Sequence, residues 1–393
     1  MERRSFLKGA GVVSIAVVGG GVWRAWDQGV FSTGEGSAYE AWKDWRSEAE
    51  EGPMSLVRAA ILAASPHNTQ PWLFKVSSSV IELHIDQRRN VGALDPYLRE
   101  EHIGIGCALE NLLLAAGAHG YEAKVATVPG KLVPIPENPK MQLLARVELT
   151  SGRRDESDLY RAIPHRHTNR SPYDPKQAIP AEFADALIRL PGEDPDVKVF
   201  LFIDEAERKK IVQASAAANR EIYSDSTVQT DSEQWMRSRW SDVQKYKDGL
   251  TVDAFGLPPI ATAAAKMMTP RMLAWAANHS EKNGYAELMM SAPLIGFIAV
   301  RDRYEREQCL AAGRIWQRAH LLATARGVAG RPCNELVEMV DHERALGRPA
   351  TRLAILNEIT GDATWQPTFV FYMGYATWPA HTSPRRPVQM VTF

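Results

Sequence analysis

GCALENLLLAAGAHG (Gly106–Gly120) and GRIWQRAHLLATARG (Gly313–Gly327) are the two stretches on which the fold turns. Set 207 residues apart, they coincide at Gly106/Gly313, Leu114/Leu321, Ala116/Ala323, Ala118/Ala325 and Gly120/Gly327. Each has a helical apolar period and closes on a glycine suited to a left-handed C-cap. Any two Ala/Leu helices share some positions, but small residues at matched spacing are what two tightly packed helices require. The pair predicts two related halves in one chain, a pseudo-dimer whose site lies at the interface between them.

Outward from these helices the pattern is mixed, and the expected fold class is α+β. A helix is predicted over 54–64, a hairpin from Phe74–Val76 and Val80–Ile85, and a strand over Leu143–Leu149. Beyond a polar connection come a helix at Ala181–Leu190, a strand at Val197–Ile203 and a helix at Glu205–Ile222. Strands return at Leu294–Val300 and Pro367–Gly374. Residues 225–282, with Trp235, Trp240 and Met-rich turns, have no counterpart in the first half and read as an insertion. The halves are then 53–155 and 156–393, the second carrying the insertion.

Composition narrows the classes. The 393 residues, 45% hydrophobic and 24% charged, suit a globular chain of two to three domains. The 46 basic against 47 acidic side chains, net charge -1, argue against a nucleic-acid binder. Cys107, Cys309 and Cys333 are too dispersed for a disulfide framework or a CxxC metal site, so no metal is expected. No apolar run reaches the roughly 20 residues of a spanning helix. The chain opens Met-Glu-Arg-Arg-Ser-Phe-Leu-Lys and continues through the mild apolar run Gly9–Val22. Paired arginines followed by Phe6-Leu7-Lys8 have the layout of a twin-arginine export signal, assigned to 1–30. This places the protein in the periplasm, the cell envelope or at the membrane, with the export machinery as a partner and the signal either cleaved or kept as an anchor. Residues 31–52 read as a linker.

The chemistry is expected in Ala63-Ala-Ser-Pro-His-Asn-Thr-Gln-Pro-Trp-Leu-Phe74. A helix ends there, and a loop dense in amides and hydroxyls is pinned by Pro66 and Pro71. Asn68 and Gln70 each donate and accept, which suits the edge of a planar heterocycle; an Asx-turn beside a buried Trp is the other reading. His67 to Trp72 resembles the nitroreductase-like flavoprotein superfamily, in particular its Acg-type branch. Ala64-Ser65-Pro66 departs from the Pro-Ser-Ser of that family. The resemblance implies FMN as cofactor, with Ser65, His67, Asn68 and Gln70 beside it.

A second stretch, His165-Arg-His-Thr-Asn-Arg-Ser-Pro-Tyr-Asp-Pro175, resembles the arm that holds the FMN phosphate and ribityl chain. Arg166 and Arg170 supply forked donors for phosphate, and Thr168 and Asn169 supply partners for ribityl hydroxyls. The tail Thr382–Pro387 resembles one that returns to the phosphate through Arg385 or Arg386. Gly330, after the repeated helix, matches a position of backbone donors near the flavin. The resemblance covers about 50–393 and implies one complete FMN site per chain, with 225–282 as a lid. His67 is the candidate proton donor. Two functions compete: flavin-mediated hydride or electron transfer to nitro, quinone or similar conjugated acceptors, or FMN holding under a closed lid with little NAD(P)H-dependent turnover.

Overall fold

The computed structural model describes residues 22–46, 52–269, 272 and 284–393. Residues 1–21, which carry the paired arginines, 47–51 of the predicted linker, 270–271 and 273–282 of the predicted insertion, and residue 283 lie outside the described residues.

A short helix α1 (Glu40–Lys43) and helix α2 (Pro53–Ala60) precede the hairpin β1 (Trp72–Val76) and β2 (Val80–Asp86). The long helix α3 (Arg99–Ala118) leads to β3 (Tyr121–Thr127) and β4 (Met141–Ser151). Helices α4 (Asp158–Ala162) and α5 (Ala181–Ile188), strand β5 (Val197–Phe202) and helix α6 (Glu205–Ile222) open the second half. The insertion holds α7 (Ser226–Glu233), β6 (Met236–Arg237), α8 (Trp240–Tyr246), β7 (Leu250–Thr251) and α9 (Pro259–Met267). Then follow β8 (Leu294–Val300), the long α10 (Arg306–Ala325), β9 (Ala329–Pro332), α11 (Glu335–Ala345), α12 (Thr351–Thr360) and β10 (Gln366–Gly374). The chain is an α+β protein.

Two antiparallel four-stranded sheets form, ordered β1-β2-β4-β3 and β5-β8-β10-β9. In each, the first strand pairs the second, the second the fourth, and the fourth the third. Between them α3 and α10 cross. A Cβ on Gly106 would stand 2.2 Å from the Leu310 carbonyl oxygen, and one on Gly313 would stand 2.0 Å from that of Ile103. The contact is reciprocal at the same 207-residue spacing, and only glycine permits it. The repeat also extends upstream of the glycines: Asp95, Tyr97, Arg99 and Glu100 match Asp302, Tyr304, Arg306 and Glu307. Tyr97 and Tyr304 meet edge to face at 5.2 Å. The Asp95 carboxylate accepts from the backbone amides of Arg99, Glu100 and Glu101, satisfying the open donors at the start of α3.

Three sequence expectations change. The region read as a linker packs instead: Ala38, Tyr39 and Trp42 are buried, and α1 lies within it. β3 was missed because its burial alternates only between half-buried and exposed, giving a weak two-residue period. Residue 330, expected in a loop, sits in β9 opposite Met373.

The insertion is tied to the first half. Asp248 pairs with Arg89 and with Arg237, the latter at 2.7 Å, while the Trp235 indole donates to the Asn90 carbonyl at 2.8 Å. The Ala93 amide donates to Asp231 at 2.8 Å. The N-terminal strap, 28–46, stitches to it from outside. Lys266 donates to Gly29 O and Thr33 Oγ1 and pairs with Asp253 at 2.8 Å, both ionic side chains being buried.

Candidate functional site

Helix α2 stops at Ala60 and leaves the carbonyls of Leu62 and Ala63 without a following helical turn. Pro66 then starts a tight turn over Pro66–Asn68, and His67, Asn68 and Gln70 take left-handed backbone angles (φ 44, 56 and 51). Such angles cost a non-glycine residue on the order of 1 kcal/mol each, so surrounding contacts must hold them. Asn68 donates to Gly249 O at 3.1 Å and Pro384 O at 3.0 Å, and its Oδ1 accepts from Arg385 at 2.6 Å. Gln70 donates to Lys247 O at 2.9 Å, its Oε1 accepts the Arg386 amide at 2.8 Å, and its own amide donates to Ser65 Oγ at 3.0 Å. The side chains of Asn68 and Gln70 thus bind the loop to the tail and to the insertion, and Ser65 Oγ closes the loop on itself by accepting the Gln70 amide.

The arm and the tail meet behind this loop. Arg166 donates to Leu62 O at 3.0 Å, and Arg385 donates to Ala63 O at 3.1 Å. Adjacent carbonyls thus bring two guanidiniums into one buried cluster. Among the described residues neither is hydrogen-bonded or ion-paired to a carboxylate, and the Nε of each, with His167 Nδ1, lacks a hydrogen-bond partner. Burial lowers Arg166 to about 10, and burial together with the Arg166 charge holds Arg385 well below its ordinary value. His320 Nδ1 faces Arg166 at 3.4 Å, and its Nε2 faces the His167 carbonyl at 3.3 Å. Burial, then the neighbouring arginines, pushes His167 to about 3; burial and Arg166 push His320 well below its usual range. Both imidazoles are therefore neutral beside the two cations. Trp42 closes the cluster: Arg385 lies over its ring at 4.7 Å, His167 meets it edge-on at 4.7 Å, and its indole donates to Ser383 O at 2.8 Å.

The other predicted residues disperse. Arg170 reaches Ala254 O of the insertion at 3.1 Å. Arg386 donates to Gln70 O at 3.0 Å and Met390 O at 2.7 Å, on the side of Arg89 and Asp248. Asn169 ties the arm to β9 and the tail, its amide on Gly330 O at 3.2 Å and its side chain on Trp378 O at 2.9 Å. Thr168 is half-buried beside it. His67 is lowered to about 4 by burial and then by Arg170, so it is neutral at pH 7 rather than poised to titrate there. Arg166, Arg170 and one of Arg385 and Arg386 were expected around one anion; Arg166 and Arg385 are the two brought together. Trp42, His167 and His320 were missed. A tryptophan within a polar stretch was the available signal for Trp42, and an isolated histidine on the apolar face of a repeated helix was the signal for His320.

No family model matches the chain. Similarity is found to a putative NAD(P)H nitroreductase of Mycobacterium tuberculosis, 25% identical over 345 residues, covering 86% of this chain and 90% of that protein. The putative NAD(P)H nitroreductase acg of the same organism is 32% identical over 126 residues, 30% of this chain and 35% of its own. Among solved structures, the FMN-dependent nitroreductase NfnB of Mycobacterium smegmatis, in complex with NADPH, aligns at a TM-score of 0.39 and 16% identity, covering 60% of this chain and 97% of that one.

Proposed function

We propose that the chain binds FMN and acts as an oxidoreductase of the nitroreductase type, with the FMN phosphate on Arg166 and Arg385. The observation that carries this is a pair of buried guanidiniums held together without a carboxylate. Such a pair repels itself, and a dianion between them converts that repulsion into two charge-assisted contacts. The unpartnered Nε atoms and His167 Nδ1 supply donors suited to phosphate oxygens. The relative from Mycobacterium tuberculosis that is similar over 86% of the chain, named as a putative NAD(P)H nitroreductase, supports the same reading.

When bound, FMN supplies the hydride and electron chemistry. The chain positions and encloses it. Arg166 and Arg385 fix the phosphate end, Asn169 and Gly330 fix the arm, and the 65–70 turn, with its three left-handed residues, shapes the adjoining wall. His67, neutral at pH 7, offers one N–H and one acceptor and carries no proton charge to deliver. The matched sheet order and the reciprocal glycine contact support two related halves forming one pseudo-dimer, with nitro, quinone or similar conjugated compounds as acceptors. The Arg3-Arg4 leader supports export by the twin-arginine route, after the cofactor is in place.

Riboflavin lacks only the phosphate, which makes the test specific. Arg166→Ala and Arg385→Ala should each weaken FMN binding roughly ten- to hundredfold, the worth of a charge-assisted contact, and leave riboflavin affinity unchanged. Equal losses for both flavins would remove the phosphate assignment. A second reading, FMN held with little turnover, is favoured by the Asp248 and Lys266 ties across the insertion. Rapid-mixing reduction of the flavin-loaded protein by NADPH decides between them: bleaching within seconds supports the enzyme, and its absence supports the holding protein.

A further inference from the structure

Among the described residues the exposed tryptophans, out of 11 in the chain, are Trp23 and Trp26, at 69% and 76%. Residues 22–27 are helical, so a spacing of three sets both rings on one face. Val22 and Phe31 flank them and are exposed as well. This segment is fastened to α9 of the insertion: Arg24 donates to Met267 O at 3.2 Å, and Lys266 donates to Gly29 O at 3.0 Å. Along α9, Ile260 is 87% exposed and Ala264, one turn on, is exposed too; Met272 beyond the helix is likewise exposed. The other exposed large apolar side chains are scattered over the chain and need no special account.

A patch with paired indoles at its centre is unusual for a surface facing water, and indoles favour the boundary between headgroups and acyl chains. Charge points to the same partner. From Arg3 to Trp26 the sequence carries Arg3, Arg4, Lys8 and Arg24 and no acidic residue, and the apolar run Gly9–Val22 leads directly into the patch. A basic and apolar approach ending in exposed tryptophans is complementary to an anionic bilayer. No helix among the described residues is long and apolar enough to cross a membrane. We propose that residues 22–31 and the outer face of α9 form a peripheral docking patch for an anionic phospholipid bilayer. Residues 22–30 fall within the segment read as the leader, but Arg24 and Gly29 fasten them to α9, so the patch is held by the fold and is additional to any anchoring by residues 1–21.

The test uses the full chain and vesicles of phosphatidylglycerol and phosphatidylethanolamine with brominated acyl chains, which quench only tryptophans that reach the lipid. The wild-type chain is expected to lose part of its emission. Trp23→Ser/Trp26→Ser, with its thermal transition unchanged, is expected to lose no more than with unbrominated vesicles. An unquenched wild type overturns the proposal even if the leader brings protein to the vesicles, and so does equal quenching in the variant. A dimer that the double substitution converts to monomer, without quenching in either protein, assigns the patch to a second copy and overturns it as well.

Discussion

Arg385 and Arg386 are neighbours in sequence and opposites in setting. Arg385 is buried beside Arg166, and Arg386 is bound by carbonyls on the Asp248 side of the same loop. Replacing either arginine of the first pair by lysine keeps a charge but loses the fork, so Arg385→Lys should still weaken FMN binding relative to riboflavin, by less than alanine does. His167 gives a pH prediction. Its imidazole titrates near 6.5 in the unfolded chain and near 3 in the folded one. The unfolded state therefore binds the extra proton as pH falls through 6.5, and the stability conferred by the neutral ring is lost progressively down to about 3. At pH 5 this amounts to roughly 2 kcal/mol. The stability difference between wild type and His167→Asn should accordingly shift by about that amount, in favour of the variant, between pH 7.5 and pH 5. Urea unfolding of the flavin-free proteins measures it, and a pH-independent difference would show that the ring is not buried neutral.

The elements whose packing is tightest are α3 and α10. Gly106→Ala places a methyl carbon against backbone that cannot yield without separating the helices, and should cost about 1–3 kcal/mol or more, read as a lowered unfolding midpoint. Gly117→Ala is the control. It lies in the same helix with its nearest atom at 3.6 Å, and should be neutral or stabilising by up to about 1 kcal/mol. The insertion is held by a different physics. Asp248 accepts two arginines with little exposure to water, and Asp248→Asn leaves them facing each other. Removing one partner of a buried ionic group costs about 3–5 kcal/mol, which here falls on the contact of the insertion with the first half. Limited proteolysis should then cut within 225–269 many times faster than in wild type, with faster exchange of bound FMN. These elements also show how far the sequence was legible. Strong periods gave α6 and the β1–β2 hairpin close to their observed bounds and the C-terminal two thirds of α3 and α10, which begin at Arg99 and Arg306, ahead of the repeated glycines, whereas the half-exposed β3 and the polar strap at 28–46 had no local signature.

At the scale of the molecule, the two sheets share one helical interface and the tail of the second half threads back onto the first. Phe74 donates its amide to Val391 O at 2.7 Å, and the Leu132 amide donates to Tyr304 O at 2.7 Å. Residues 53–155 alone would expose the face of α3 that Gly106 presses against α10. That segment expressed by itself is expected to be insoluble or to lack a cooperative transition, and co-expression with 156–393 to restore one. A soluble first half with a sharp calorimetric transition of its own would contradict this. The intact chain should unfold in a single transition, since neither half buries its helix without the other.

Local pattern determined a good deal by itself. Glycine and small-residue spacing marks close-packed helices, alternation marks strands, and an arginine-rich arm marks a concentration of forked donors, because each is a property of neighbours along the chain. Tertiary structure alone decided which of four arginines converge, and that Asn68 and Gln70 are spent on the protein. Asn68 finds its acceptors 181 and 316 residues away, and Trp42 finds its acceptor 341 residues away. A side chain's hydrogen-bonding capacity can be read from its identity, but the partner that uses it is set by which distant backbone the fold carries alongside.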